Sequence, residues 1–539
     1  MQRLPRYYGQ LAAAIGLALA VAACEHSPPA GQGPTPAGGN VESPAAPPPV
    51  QAAAAQPAAF PPPPPDAADG IPGAVETWDS LAMRAGEQFV RVGYSRTTVV
   101  KTTGPAGQAV IRTCNFTRTI LERAGQSVQQ DLKVVSLDTP DGRLVAFETQ
   151  MGEIATTGLV QGDQLQISTT SAGRTQKTSI PWQAEWGGLF AAEQSVRRQP
   201  LTTGERRTVR GLVPMLNVPG DTVLAAGDDE TVDLPGGPRK LLKVQATMQI
   251  GSQQIESTQW ADERGETLKA VVPAVGQETL RTTKDDALRR TAGGKLDLLV
   301  NSTVPLAGGF PNAQRTKKAV YLANVKNGKI DGVFSNSLSQ HVAIKDDRTA
   351  EVTVIAVRPN DPKVAGRVPS PTADDQSPSS YIQSDDPAII RLANSVANGE
   401  TDSWTIACAL EKHVDSTIKL KNFSQAFSTA AEVARTLEGD CTEHALLFAA
   451  LCRARNIPAR CAFGLIYFEP LKGFAFHMWN EVWIGDRWVP MDPTLGQGGI
   501  AADHLQLGST SLSGQAALAD LLGVMTAFGR LELQLVAAE

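Results

Sequence analysis

The stretch "GDCTEHALLFAALCRARNIP", residues 439–458, constrains the fold more than any other part of this chain. Asp440 followed three residues later by Glu443 has the spacing of a capping box, with Asp440 at the N-cap. The run "ALLFAALC" behind it is apolar nearly all round, as in a helix buried on several sides. Arg453 and Arg455 fall near its end, Asn456 can take the left-handed stop, and Pro458 follows. Cys441 falls in the first turn, where N–H groups without helical partners and the helix dipole favour a thiolate.

A thiolate that transfers acyl groups needs a base that can hand a proton to the leaving group, and a third group that orients the base. Both residue types lie downstream. "AFHMWNEVWI" and "RWVPMD" read as strands joined across Gly485 and Asp486, a two-residue hairpin turn. That turn sets Asp492 opposite Trp479, on the same sheet face as His477 and one diagonal step away. Such neighbours lie ~7–8 Å apart at the backbone, which side chains bridge. Spacing thus lets Asp492 hold His477, whereas contact between Cys441 and His477 is a tertiary matter. His444, one turn after Cys441, is a rival base, but its place on the same helix suits packing or hydrogen bonding. Cys452, about three turns further along, reads as core. Cys441, His444, Cys452 and Cys461 fit no usual zinc spacing, so no metal is expected. Trp479, Trp483 and Trp488 read as packing, with Trp479 able to shield the site from water.

"GDCTEHALLFAALCRARNIPAR" and "HMWNEVWIGDRWVPMDPT" together resemble the core of the transglutaminase-like superfamily, over residues 384–539. The resemblance implies a papain-like α+β domain in which a helix-leading Cys, a strand His and an Asp on the next strand form a triad. By matching motif these are Cys441, His477 and Asp492. It further implies a thioester route on amide bonds, resolved by water or by another amine, with a protein or peptide as substrate. A calcium requirement belongs to certain animal transglutaminases, and no acidic loop here argues for it, so no cofactor is expected. "RLELQLVAAE" is expected to be a closing strand.

The N-terminus speaks to location. Arg3 and Arg6 precede an apolar run too short to span a bilayer, which has the shape of a secretion signal. It ends in "VAAC", which resembles the lipobox of bacterial lipoproteins and implies lipidation of Cys24. Residues 25–70 hold 14 of the 37 prolines, too many for a packed core. They are expected to form a disordered tether that reaches on the order of 100 Å when extended at ~3.1 Å per residue. The expected location is a bacterial cell envelope, as a membrane-anchored lipoprotein on the extracytoplasmic side.

The remaining boundaries follow from shifts in pattern. Residues 71–294 alternate Thr/Val/Gln-rich runs with "PDG", "QGD" and "SAG", the signals of a mostly antiparallel sheet, with one helical stretch at "GGLFAAEQSVRRQP". This layout resembles the curved-sheet carrier domains of envelope proteins. A small β-rich region is expected at 295–365, a linker at 366–383, and the α+β domain at 384–539. A net charge of −6 without a basic cluster gives no reason to expect nucleic acid. Six cysteines in 539 residues are too few for a disulfide scaffold. Two functions remain: an exported, tethered cysteine enzyme, or a catalytically silent envelope binding or assembly protein working through its β-rich region.

Overall fold

The structure, a computed structural model, describes residues 59–123, 126–171, 173–250, 253–290, 296, 303–361, 369–418, 428–513, 520–521 and 529–539. The signal segment with Cys24, and residues 25–58 of the tether, lie outside the described residues. The protein is mostly β, with a large antiparallel sheet in the N-terminal half and an α+β region at the C-terminus.

The large sheet has 14 strands between Val75 and Thr282. The first eight run in sequence order to the edge strand Arg174–Pro181, and the last six lead back from the other edge, Arg206–Val213. The halves join mid-sheet, where Val75–Ala85 pairs with Gln277–Thr282 in the register Leu81↔Thr279. The predicted helical stretch forms Ala191–Arg198, on the connection between the two edges.

The expected tether ends earlier than the sequence reading has it, because residues 59–70, though mostly exposed, are tied to the large sheet. Phe60 is buried beside Trp78, Tyr94 and Phe116. The Tyr94 hydroxyl donates to the Pro61 carbonyl at 2.8 Å, and the Arg118 guanidinium donates to the Pro61 and Pro62 carbonyls at 3.1 and 3.0 Å. Arg112 forks onto Asp66 at 2.7 and 2.8 Å. Proline density signals a chain without internal hydrogen bonds, but its free carbonyls remain good acceptors for donors on a neighbouring sheet.

Two smaller sheets follow. Gln340–Ile344, Thr349–Ile355, Lys318–Val325 and Leu531–Ala538 form one, so the last strand of the chain completes a sheet begun some 200 residues earlier. The other runs Val304–Pro305, Gly473–Ile484, Ala459–Phe468 and His504–Thr510, with Arg487–Met491 paired to Gly473–Ile484. Helices Pro387–Val396, Ser403–Thr417 and Ala430–Thr436, together with the strands Ala459–Phe468 and Gly473–Ile484, pack around the helix Cys441–Ala454. Every residue of that helix from Cys441 to Arg453 is buried, as its unbroken apolar run requires. It ends in a Schellman motif: Asn456 is left-handed at φ 59°, Asn456 N donates to Arg453 O, and Ile457 N donates to Cys452 O.

Candidate active site

The capping box sets the cysteine. The Asp440 carboxylate accepts from Thr442 N at 2.9 Å, and Glu443 accepts from Asp440 N at 3.0 Å. Glu443 also accepts from Ser428 N at 3.0 Å, which ties the start of the helix Ala430–Thr436 to this one. Burial, reinforced by the charge of Asp440, pushes the Glu443 carboxyl well above the usual carboxylate range. The turn needs glycine at 439, where φ is 148° and a Cβ would fall 2.2 Å from that of Glu443. Cys441 therefore heads the helix with its backbone fixed on both sides.

The hairpin sets the other two residues. Strands Gly473–Ile484 and Arg487–Met491 pair from Ile484↔Arg487 to Asn480↔Met491, the register that a turn at Gly485 and Asp486 demands. Asp492 follows one step beyond, and its Oδ2 lies 2.8 Å from His477 Nε2. Its Oδ1 accepts from Thr494 N at 2.9 Å. Burial alone would push His477 down. The charge and hydrogen bond of Asp492 outweigh it, the nearby Cys441 sulfur adds to the rise, and the imidazole reaches about 9. The same pairing overcomes burial at Asp492 and holds its carboxyl well below the usual range. His477 and Asp492 are thus paired at the end of the hairpin, and Cys441, at the helix start, bears on the same imidazole.

The rivals do not join them. His444 Nδ1 pairs with the Asp440 carbonyl at 2.5 Å, within its own helical turn. Burial pushes the Cys452 thiol well up, and drives Cys461 and Cys114 to about 12, so these are unreactive core thiols. Among the described residues, the grouping with cation-ligand atoms is His477, Asp492 and His504, with those atoms within 4.8 Å of one another. A cation there would have to displace two imidazole–carboxylate hydrogen bonds.

Four side chains around the site, His504, Asp503, Glu411 and Asn480, were not singled out in the sequence. His504 Nε2 lies 3.2 Å from Asp492 Oδ2, and its Nδ1 lies 2.7 Å from Asp503 Oδ1. Glu411 accepts from the backbone N–H groups of Asp492, Gly498 and Gly499, at 3.1, 2.7 and 3.3 Å, and so clamps the loop that carries the aspartate. Burial, aided by the charge of Asp492, pushes Glu411 up to about 8 against those bonds. Asn480 donates to the Ala445 carbonyl at 3.0 Å, which pins the helix to the histidine strand. Trp479 stacks on His477 at 6.1 Å and meets His504 edge-on at 5.1 Å. Cys441, His477 and Asp492 each have 0% exposure, so the site is sealed in this conformation and reagents reach it only after an opening motion.

Residues 390–493, which include all three of these groups, match the family model of the transglutaminase-like superfamily. The C-terminal region is transglutaminase-like. No curated protein is detectably similar to the chain. Among solved structures, a candidate cysteine protease from Cytophaga hutchinsonii is 17% identical, over 40% of this chain and 82% of its own, with a TM-score of 0.26. A β-barrel-like protein from Brucella abortus, of a domain of unknown function, is 8% identical over 38% of this chain and 94% of its own, with a TM-score of 0.28. Neither likeness carries weight here, and the assignment rests on the family match. The transglutaminase-like region comprises the helix Cys441–Ala454 and the hairpin that bears His477, while the 14-stranded sheet precedes the matched residues.

Proposed function

We propose that the protein is a cysteine enzyme that cleaves or exchanges amide bonds through Cys441, His477 and Asp492. The observation that carries this reading is the buried His477–Asp492 pair at 2.8 Å, with Cys441 near enough to the same imidazole to help raise it. The thiolate attacks the amide carbonyl carbon, forming a C–S bond and an oxyanion. Collapse breaks the C–N bond, and the leaving nitrogen takes the proton of the His477 imidazolium. Water or an amine then attacks the thioester and gives its proton to neutral His477, and the C–S bond breaks to restore the thiolate. The helix N-terminus at Cys441 supplies a backbone donor for the oxyanion. Incubation with peptide amides and amines is expected to leave an acyl group on the Cys441 peptide, detected by mass. An equal adduct on the Cys441→Ala protein would sink the assignment.

A second reading, a catalytically silent binding or assembly protein, is favoured by the complete burial of Cys441. It is separated from the first by the same adduct, which it does not produce.

We further propose export and lipid anchoring at Cys24, on the charged start, the short apolar run and "VAAC". Cell fractionation is expected to find the protein in membranes, and Cys24→Ala to release or mislocalise it. Wild-type protein confined to the cytosol would refute the anchor.

A further inference from the structure

We infer that His504 and Asp503 are positioning residues of the same centre: two imidazoles, not one, fix the Asp492 carboxylate, and Asp503 fixes the second imidazole. This rests on the triad reading of Cys441, His477 and Asp492. The geometry is a continuous chain. Asp503 Oδ1 lies 2.7 Å from His504 Nδ1, His504 Nε2 lies 3.2 Å from Asp492 Oδ2, and that same oxygen lies 2.8 Å from His477 Nε2. With Thr494 N on Oδ1 at 2.9 Å, the carboxylate is held at both oxygens and cannot rotate. Without His504, Oδ2 would be held by His477 alone.

The backbone is built to bring His504 there. The strand His504–Thr510 pairs with Ala459–Phe468, and the register shifts between Phe463 and Gly464. Gly464 stands opposite His477 on its other side, and a Cβ at 464 would fall 2.0 Å from the Leu505 carbonyl. Only glycine lets the two strands approach this closely. Asp503, the residue before the strand, and Asp492 bond to His504, the rings of His477 and Trp479 pack on it, Glu411 on the helix Ser403–Thr417 accepts from Asp492 N behind it, and the Tyr321 phenol donates to the Ala502 carbonyl at 2.6 Å.

Packing does not account for this arrangement. Four ionisable groups with 0% exposure hold less stability than apolar side chains of equal volume would supply. Asp503 Oδ2 is moreover buried without a hydrogen-bond partner, a penalty that core packing does not repay. Such arrangements persist where positioning is required.

The test is alkylation of Cys441 in the full chain across pH, with each profile normalised to its own maximum so that the opening motion divides out. Removal of the second imidazole by the double variant His504→Leu with Asp503→Asn is expected to lower the normalised rate at pH 6 about tenfold, as a thiolate less well paired with His477 demands. His504→Gln, which keeps an N–H near the place of Nε2, is expected to recover most of it. A purely structural role would lower the unfolding midpoint of both variants and leave their profiles on that of the wild type, which would overturn the inference. Where the double variant does not fold, histidine-labelled wild type decides. The His504 ring signals are expected to shift when Cys441 is alkylated, and unchanged signals overturn the inference. If instead the wild-type profile coincides with that of His477→Ala, the triad reading itself fails.

Discussion

Replacing His477 with alanine is expected to remove the reactivity of Cys441 at neutral pH. Burial by itself drives a thiol upward, as the other core cysteines here illustrate, with Cys461 at about 12. Two features act against this at Cys441: the N-terminus of the helix Cys441–Ala454, and an imidazole that Asp492 and the thiol keep protonated to about 9. The wild-type alkylation profile should therefore keep its acid limb well below ~8.5, the ordinary thiol value. In His477→Ala the limb should move to ~8.5 or above, which amounts to a loss on the order of 100-fold at pH 6. Asp492→Asn removes the charge that raises His477, so the alkaline limb of turnover should move below about 9 while the thiol remains present. Coincident profiles for wild type and His477→Ala would make Cys441 a structural residue.

Alkaline solution is expected to weaken the fold through the same cluster. His477 and His504 are each raised to about 9 from an ordinary 6.5; at His504 burial is overcome by the charges and hydrogen bonds of Asp503 and Asp492. Below the ordinary value both imidazoles are protonated in folded and unfolded chains alike, and their stabilisation is whole. It is lost as pH rises through about 9, where the folded chain also releases its protons. Glu411 acts in the same direction. Its carboxyl is raised from 4.5 to about 8, so its contribution is full below the lower value and gone above the upper one. Asp492, whose carboxyl is depressed, contributes above the ordinary carboxylate value and fails only in strong acid. Because these groups form one hydrogen-bonded cluster, the loss between pH 7 and 10 is counted once, on the order of 3 kcal/mol. Urea midpoints followed by tryptophan fluorescence should fall across that range, and Asp492→Asn should flatten the slope. A midpoint constant from pH 7 to 10 in the wild type would refute this account.

What the sequence determined by itself lies within short reach along the chain. Asp440 and Glu443 are three residues apart, so the capping box, and with it the place of Cys441, follows from helical geometry alone. Gly485 and Asp486 make a two-residue turn, and such a turn fixes every facing pair behind it, which brought Asp492 to His477. Tertiary structure decided the rest. His504 reaches the site because its strand pairs Ile466↔His504 across a bulge, and no local period encodes a register that shifts within the pairing. Glu411 meets the Asp492 loop from a helix 81 residues upstream. Phe60 and Asp66 leave the proline tether for a sheet whose aromatic and arginine side chains come from several strands. The sealing of Cys441 likewise depends on packing from all sides. A local motif states which groups a turn or helix carries, whereas the partners that close over it are chosen by contacts between distant segments, which spacing along the chain does not record.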